Sequence, residues 1–354
     1  MFLAWRELQQ NKIRYILICT IITAILFLVF FITGLSNGLG YADSAAISNL
    51  KADYVVLNKE ADGVLIKSEL STEDIKEIEQ KVRTDVSPLT ITVSSLTMEN
   101  TKDVDVTYFT VDTKKYGNVS ITEGKNIHEL ANSEIIADES LKRFGLELND
   151  TIIDSRTDTA MKIAGFTNDH VYSHMPVIFT SKGLGFQSLY SSEDTYYAAL
   201  YQGAKERFTH FDVQSVEETV KTMPGYSETQ GSFMVMKIFL IIISVFVSSV
   251  FFYVITIQKI HQFGILKAIG VKTWDIAKAI ITQVSMITLL GLCLSGIAFV
   301  GVVQIMPEEM PIQLSWQLFI GTGAMFIVLN TAGAMLSVWK VAKVDALEAM
   351  RRAE

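Results

Sequence analysis

The sequence predicts an integral membrane α-helical protein with four transmembrane helices and a large extracellular α+β domain inserted between helices 1 and 2. Four long apolar runs predict the spans, because a helix needs about 20 residues to cross the hydrocarbon core of a bilayer. The 354-residue chain is 49% hydrophobic and only 19% charged, which is too apolar for an ordinary soluble domain. Basic residues are concentrated on one side of the runs, and this asymmetry predicts the orientation.

The four runs divide the chain into successive segments. The first run is uncharged and longer than the apolar stretch of a signal peptide, so it predicts a membrane anchor. The third and fourth runs contain several glycines, which let helices approach closely. The predicted segments are a cytoplasmic amphipathic leader (1–14), transmembrane helix 1 (15–35), the extracellular α+β domain (36–233), transmembrane helix 2 (234–257), a cytoplasmic helical segment (258–279), transmembrane helix 3 (280–306), a short outer loop (307–317), transmembrane helix 4 (318–339) and a cytoplasmic tail (340–354).

Charge predicts which segments face the cytoplasm. The leader, the 258–279 segment and the tail are rich in Lys and Arg, whereas the 307–317 loop has two glutamates and no basic residue. By the positive-inside rule, both termini are cytoplasmic and the chain is a multi-pass protein of the cell membrane, in contact with lipid. Segment 36–233 contains 18 basic and 31 acidic residues, a net charge of −13. Nucleic acid is excluded as a partner of this domain, because phosphate contacts need a basic face.

Local patterns predict both helices and strands in the 36–233 domain. Ser71 caps a predicted helix over 71–82, with acidic residues in its first turn. Segment 131–150 predicts a strand and then a helix that stops at Gly145. Strands are predicted at 89–98, 105–112, 151–156, 161–167 and 175–180, the last of them buried.

No catalytic site is predicted, and the chain is interpreted as a non-enzyme. The stretch beginning at Gly270 reads GVKT, and its valine disrupts the Gly-Lys-Thr order of a phosphate-binding loop. His170 and His174 have the spacing of helical metal ligands, but no glutamate follows His170, so no metal site is predicted. Lys237, at the rim of the second span, is the one charged residue in the spans. An ion-coupled transporter is therefore not favoured, because such proteins keep ionisable groups at the coupling site.

The cytoplasmic segment from Gln258 to Asp275, QKIHQFGILKAIGVKTWD, predicts a short amphipathic helix. Phe263, Leu266 and Ile269 form its hydrophobic face, and lysines lie on the other side. The helix docks in the groove of a soluble partner or is an inert hairpin; amphipathicity alone leaves both alternatives open.

The run Gly264–Gly270, GILKAIG, resembles the coupling helix of FtsX-like, macrolide-exporter-type ABC permeases, whose pattern is roughly R-E-I-G-I-L-R-A-x-G. His261 and Gln262 stand where that pattern has Arg and Glu. The tail KVDALEAMR resembles the closing D-P-x-x-A-L-R of the family, with Ala346 where proline is usual. One span, a large outer domain and three further spans match the family layout over the whole chain. The stretch FFYVITIQKIHQFGILKAIGVKT is most similar to the haem-exporter permeases of Gram-positive bacteria.

This resemblance implies a homodimer of permeases bound to two copies of a separate ABC ATPase subunit. Closure of the ATPases would push on the coupling helices and move the outer domains, a process called mechanotransmission. It also implies haem or a related porphyrin as transported cargo, with no permanently bound cofactor. The residues implied in ATPase coupling are Phe263, Gly264, Leu266, Lys267, Ile269 and Gly270.

Haem needs a flat apolar slot and a ligand such as His, Met or Tyr. Candidate substrate-binding residues near the outer ends of the first two spans, or in the loop between the histidines, are Tyr41, Tyr172, Tyr226, Phe233 and Met234. Tyr41, Tyr226 and Phe233 are equally explained as ordinary interfacial aromatics. Two other functions stay open: export of an antimicrobial peptide or lipophilic drug, and a non-transporting signal transducer that controls a cell-wall hydrolase.

The predicted orientation is testable by cysteine labelling in a variant that lacks Cys19 and Cys293. A cysteine at Asp105 or Glu309 should react with an impermeant reagent added to whole cells, because both positions are predicted to be outside. A cysteine at Lys267 should react only after the cells are opened. Labelling of the Lys267 position in intact cells contradicts the charge-based orientation.

Overall fold

The computed structural model describes residues 12–97, 103–116, 119–131, 133–181, 195–307, 310–313 and 315–342, without the side chains of 336–342. The chain forms two compact units. One comprises Met1–Gly38 and Gln230–Glu354 and is called the membrane unit; the other, Leu39–Thr229, is called the inserted domain. Residues 1–11 of the predicted leader, the predicted tail from 343 onwards and residues 308–309 lie outside the described residues.

Four helices in the described part of the chain are long and apolar enough to cross a membrane: α1 (Lys12–Ser48), α4 (Tyr226–Gln258), α6 (Thr273–Ile305) and α7 (Trp316–Ala342). Three shorter helices are α2 (Thr72–Val82), α3 (Val216–Lys221) and α5 (Ile260–Ala268). The predicted fold class is confirmed, since an α+β domain lies between the first and second long helices. The helix α1 continues to Ser48, beyond the predicted span, because residues 36–48 include three alanines, which favour a helix.

The core of the membrane unit is built from one stripe of each long helix. In α1, Ile18, Ile22, Leu26 and Phe30 recur every four residues and are at most 2% exposed. They belong to one cluster with buried apolar residues of α6 and α7. Side chains four residues apart lie on the same face of a helix, so this spacing gives α1 a single packed side. The other sides remain apolar and exposed, as expected for surfaces that contact lipid.

Two glycines of α1 allow the segment before α7 to pack directly on the helix backbone. A Cβ atom at Gly38 would stand 1.7 Å from the carbonyl oxygen of Pro311, which no side chain can occupy. At Gly34, the backbone carbonyl accepts a 2.9 Å hydrogen bond from the N–H of Gln313. The segment around Pro311 is therefore held against α1 by close backbone contact, and the Ile312 side chain packs on the same core.

The inserted domain is a mixed α+β structure built on one large sheet. The strands are β1 (Tyr54–Asn58), β2 (Leu70–Ser71), β3 (Val86–Thr97), β4 (Val104–Val111), β5 (Ile121–Gly124), β6 (Glu134–Asp138), β7 (Thr151–Asp154), β8 (Ala160–Thr167), β9 (Val171–Tyr172), β10 (Met175–Ser181), β11 (Thr195–Tyr196), β12 (Ala198–Tyr201) and β13 (Phe211–Ser215). Eleven of these described strands form the large sheet, nine of them in the order β13-β1-β12-β3-β4-β10-β6-β8-β5, while β7 pairs with β3 and β8, and β9 pairs with β10. The strands β2 and β11 form a second, two-stranded sheet.

The centre of the large sheet is covered on both faces. Tyr108 and Phe109 are consecutive in β4, so their side chains point to opposite faces, and both are fully buried in separate apolar clusters. β4 pairs in parallel with β10, with Phe109 opposite Phe179. Parallel pairing of central strands is typical of sheets that are buried on both faces.

The sequence patterns within this domain are borne out. Ser71 caps α2 and forms a capping box with Asp74, as the acidic first turn predicts. The five predicted strand segments correspond to β3, β4, β7, β8 and β10. Segment 131–150 forms β6 and then a helix that ends at Gly145, whose φ of 84° is left-handed. That helix, Glu139–Phe144, is a 3₁₀-helix, a form that occurs mostly in short pieces.

The close contact at Gly38 generates a prediction about stability. Gly38→Ala should destabilise the membrane unit by about 1–3 kcal/mol, because the added methyl group must displace the Pro311 backbone. The thermal midpoint of the purified full-length protein in detergent measures this effect. Gly301→Ala is the matched control, since nothing lies within 4 Å of a Cβ atom at that position of α6. Equal midpoints for the two variants contradict the close approach.

Candidate functional site

A loop that connects β8 to β10 (residues 168–174, the histidine loop) carries Tyr172 and both histidines, and it is bonded to the end of α1. The hydroxyl group of Tyr41 donates a hydrogen bond to the Asp169 carboxylate. The side-chain amide of Asn49 donates to the backbone oxygen of Asp169 at 2.7 Å. The candidate residues Tyr41 and Tyr172 thus belong to one hydrogen-bonded region of the inserted domain.

The far side of the histidine loop is fixed to the same helix end. The backbone N–H groups of Ser173 and His174 donate to the carbonyl oxygens of Asp43 and Ala42 at 2.9 and 2.8 Å. The ring of His174 adds a 3.0 Å contact between its Nδ1 and the Asp43 carboxylate. Ser173 and His174 both have positive φ values, 48° and 67°, a conformation that costs non-glycine residues about 1 kcal/mol or more. The bonds to α1 compensate for this strain and hold the turn.

Tyr172 lies in the core of the inserted domain rather than on its surface. Its side chain is 6% exposed and packs edge-on against Phe109, with the ring centroids 5.7 Å apart. Burial raises the pKa of the Tyr172 phenol to about 12, so the free side chain is neutral at physiological pH. In this conformation the phenol is not accessible to a ligand, and binding to a metal would also require the loss of its proton.

His170 and His174 differ in environment and do not form a pair. His170 is 2% exposed, contacts the edge of Phe179, and hydrogen-bonds through Nδ1 to the Asn168 carbonyl at 2.7 Å. A carbonyl only accepts, so Nδ1 carries the proton, and Nε2 has no partner among the described residues. Burial lowers the pKa of His170, which keeps the ring neutral. Its backbone N–H donates to the Asp138 carboxylate, whose pKa burial raises.

The remaining three cargo candidates lie on α4. Tyr226 is the first residue of this helix and packs, half-buried, on the core of the inserted domain. Phe233 follows seven residues later and is partly buried, while Met234 is 60% exposed. Tyr226 belongs to the inserted domain, whereas Phe233 and Met234 belong to the membrane unit. In that unit, Phe233 and Met234 can offer an aromatic and thioether surface to a flat apolar molecule.

The predicted coupling residues lie on the short helix α5 and the turn after it. Gly270 has a φ of 96°, and its N–H donates to the Lys267 carbonyl at 3.0 Å, which ends the helix as the sequence predicts. Phe263 is only 6% exposed and belongs to the membrane-unit core, with Leu266 packed against that core. Ile269 is 72% exposed. The three side chains predicted to form one docking face therefore have different environments: the first two hold α5 in place, and Ile269 is accessible.

Beside α5, the start of α1 contacts the end of α4. The ammonium group of Lys259 donates to the hydroxyl group of Tyr15 at 3.2 Å and lies over the same ring at 5.8 Å. Arg14 donates to the side chain of Gln258. These contacts tie the coupling segment to the first residues of α1.

Asp43 and Asp169 contact the predicted site residues, but the sequence analysis did not single them out. Asp43 lies more than a hundred residues from His174, and Asp169 is equally far from Tyr41. Neither aspartate stands in a motif, so only the folded chain brings them to the site. An aspartate that follows a strand beside a histidine was the one local signal available, at Asp169.

Comparison with known proteins agrees with this architecture. The FtsX-like permease C-terminal family matches residues 234–346, which include α5. A Staphylococcus haemolyticus protein provisionally named hemin transport system permease protein HrtB is 31% identical over 355 residues, covering 99% of both chains. The chain belongs to the FtsX-like ABC permease family. The corresponding Staphylococcus epidermidis protein is 28% identical, with the same coverage. With its four apolar helices, the chain is a multi-pass membrane protein.

Two solved structures are similar to part of the chain. The periplasmic region of MacB from Actinobacillus actinomycetemcomitans covers 49% of this chain and 94% of its own, with 13% identity and a TM-score of 0.37. The extracellular domain of the ABC-type transporter YknZ from Gram-positive bacteria covers 48% of this chain and 87% of its own, with 11% identity and a TM-score of 0.32.

Proposed function

We propose that this permease is the membrane subunit of a dimeric ABC exporter that removes haem or a related porphyrin from the membrane. Two copies of the chain would bind two copies of a separate ATPase subunit, and both termini would lie in the cytoplasm. The observation that carries the proposal is the full-length similarity to staphylococcal permeases named for hemin transport. The chain contributes no nucleotide-binding motif, so ATP hydrolysis belongs to the partner.

Two features of the membrane unit support the dimer. Four helices are too few to enclose a path for a large cargo, so a second copy is expected to complete it. In α4, only 17% of the most apolar stretch is buried, the lowest share among the four candidate spans. The exposed side chains Met234, Phe239 and Phe246 leave an apolar surface on α4 for a second copy or for lipid.

The environment of α5 supports its role as the ATPase-docking element. Phe263 and Leu266 fix the helix to the membrane unit, so force applied to α5 reaches the spans. Ile269 and Ile265, 72% and 45% exposed, supply an apolar contact for a partner. Among the implied coupling residues, Ile269 is therefore the best test of docking, and Phe263 is a test of stability.

Ile269→Asp should abolish co-purification with the ATPase and stimulation of its activity, because a charge would be placed in a desolvated apolar contact. The thermal midpoint of the permease alone should stay unchanged, since Ile269 is exposed. Gln262→Asp is the matched control, because it adds the same charge to α5 at a position where the family pattern has an acidic residue. Phe263→Asp should instead lower the thermal midpoint, because a buried unpaired charge reduces the free energy of unfolding by about 3–5 kcal/mol. Normal ATPase binding by Ile269→Asp places the docking surface elsewhere.

In the proposed export of haem, the phenols of Tyr172 and Tyr226 are the candidate ligands for ferric iron. Tyr226 is half-buried at the start of α4, with Phe233 and Met234 further along the same helix. An iron ion bound to the Tyr172 oxygen would stabilise the negative charge of the phenolate, so the buried phenol would lose its proton at a pH below its raised pKa. Tyr41 acts indirectly in this proposal, because its bond to Asp169 helps to fix the loop that carries Tyr172.

Tyr172→Phe and Tyr226→Phe keep the packing of each ring but remove the oxygen that would bind iron. Each variant should co-purify with less haemin, and its Soret band should shift relative to the wild type. Growth of cells that depend on the permease should become sensitive to haemin. Tyr108→Phe, in a fully buried part of β4, controls for loss of a core phenol. If the variant with both substitutions keeps its haemin content and the cells keep their tolerance, Tyr172 and Tyr226 are not the iron ligands. This result would leave the assignment to the ABC permease family unchanged.

Growth tests of a strain that lacks the permease distinguish the alternative functions. A deletion strain that is sensitive to antimicrobial peptides or lipophilic drugs, but tolerates haemin, points to a different cargo. A strain that tolerates all three and has a defect in cell-wall hydrolysis points to a signal transducer.

A further inference from the structure

Three polar residues form a connected cluster in the membrane unit, between α1 and α4. The hydroxyl group of Ser36 donates to the side-chain oxygen of Gln230 at 2.9 Å, and the Gln230 amide donates back to the Ser36 carbonyl at 2.9 Å. The ammonium group of Lys237 lies 3.4 Å from the Ser36 hydroxyl oxygen. Ser36 is fully buried, and its proton is directed to Gln230. Its free lone pair therefore faces Lys237.

Lys237 lies in an apolar stretch of α4, and none of the acidic residues that the structure describes pairs with it. It is the only charged residue between Phe233 and Ile257, and it lies at one end of that run. Among the residues that the structure describes, no carboxylate lies within ion-pair distance of its nitrogen. One long contact to a hydroxyl group satisfies only part of an ammonium group, which can donate three hydrogen bonds. A half-buried cation of this kind gains most from an anion that arrives with a ligand.

The neighbours of Lys237 on α4 suggest what kind of ligand brings that anion. Phe233 and Met234 stand four and three residues before Lys237, which places them on the same side of the helix. An aromatic and thioether surface beside one unpaired cation fits a flat apolar molecule that carries a carboxylate. Haem has this character, because its macrocycle is apolar and its propionate groups are anionic.

We propose that Lys237, oriented by Ser36 and Gln230, is an anion subsite that binds the carboxylate of the cargo. The inference rests on the proposed export function and adds the group that distinguishes a carboxylated porphyrin from its neutral esters. Gln230 is a positioning residue here: its two bonds to Ser36 set the direction of the hydroxyl group that contacts Lys237. The phosphate of an anionic phospholipid is the other source of a negative charge at this position.

The test compares haemin with haemin dimethyl ester, which has the same macrocycle but no carboxylate. Full-length protein is placed in phosphatidylcholine nanodiscs, with and without phosphatidylglycerol, and each compound is titrated by its Soret absorbance. The wild type should bind haemin about tenfold more tightly than the ester, since a charge-assisted hydrogen bond is lost. Lys237→Met should bind haemin as weakly as the ester, with ester binding unchanged. Lys237→Arg should restore most of the preference, and Lys12→Met, at the other end of the membrane unit, should have no effect.

Each other outcome has a defined meaning. A Lys237→Met protein that still prefers haemin overturns the inference. The inference is also overturned if this variant loses bound phosphatidylglycerol in native mass spectrometry while its haemin preference is intact, because Lys237 then binds lipid. If the wild type binds haemin and its ester equally well, the anion subsite is contradicted, but haem can still be the cargo. A wild type that binds neither compound removes haem as cargo and the subsite with it.

Discussion

The need to satisfy every polar group inside an apolar environment is the constraint on which the rest of the structure depends. In hydrocarbon, backbone N–H and C=O groups must bond within the chain, so the spans are helices. Some polar side chains on those helices bond to a neighbouring helix. Asn330 of α7 and Thr288 of α6, both fully buried, bond at 3.4 Å, and Ser36 and Gln230 bond twice between α1 and α4. Lys237 has only one long contact of this kind, to the Ser36 hydroxyl group, and in our proposal a ligand completes it.

The features that could be predicted from sequence are those encoded within a few residues of chain. Ser71 and Asp74 define a helix start by themselves, Gly145 and Gly270 define helix ends, and alternation marks the strands of the inserted domain. The four spans follow from composition and length. The end of α1 was not predictable in this way, because the change from apolar to small polar residues marks the limit of an apolar run and not the limit of a helix.

The environment of individual site residues depends on distant contacts, and sequence spacing could not supply it. Tyr172 stands between polar residues and histidines, which suggests an exposed loop, yet Phe109 and the neighbouring core enclose it. Phe263 has the spacing of a surface apolar stripe on an amphipathic helix, but that stripe packs on the membrane unit, and Ile269 remains accessible. A hydrophobic face has the same pattern whether it meets a partner protein or the core of its own chain. Exposure in the folded chain distinguishes these cases.

α1 contacts both candidate sites, one in each unit. In the membrane unit, Tyr15 accepts a hydrogen bond from Lys259, next to α5. In the inserted domain, the end of the same helix bonds to the histidine loop through Tyr41 and Asp43. Tyr172 lies in the same loop and is 6% exposed. In the proposed export function, a ligand of its phenol must favour a conformation in which this side chain is exposed, because a ligand shifts an equilibrium only as far as it binds one state better than the other. Binding at Tyr172 is then linked to the bonds between the histidine loop and the end of α1.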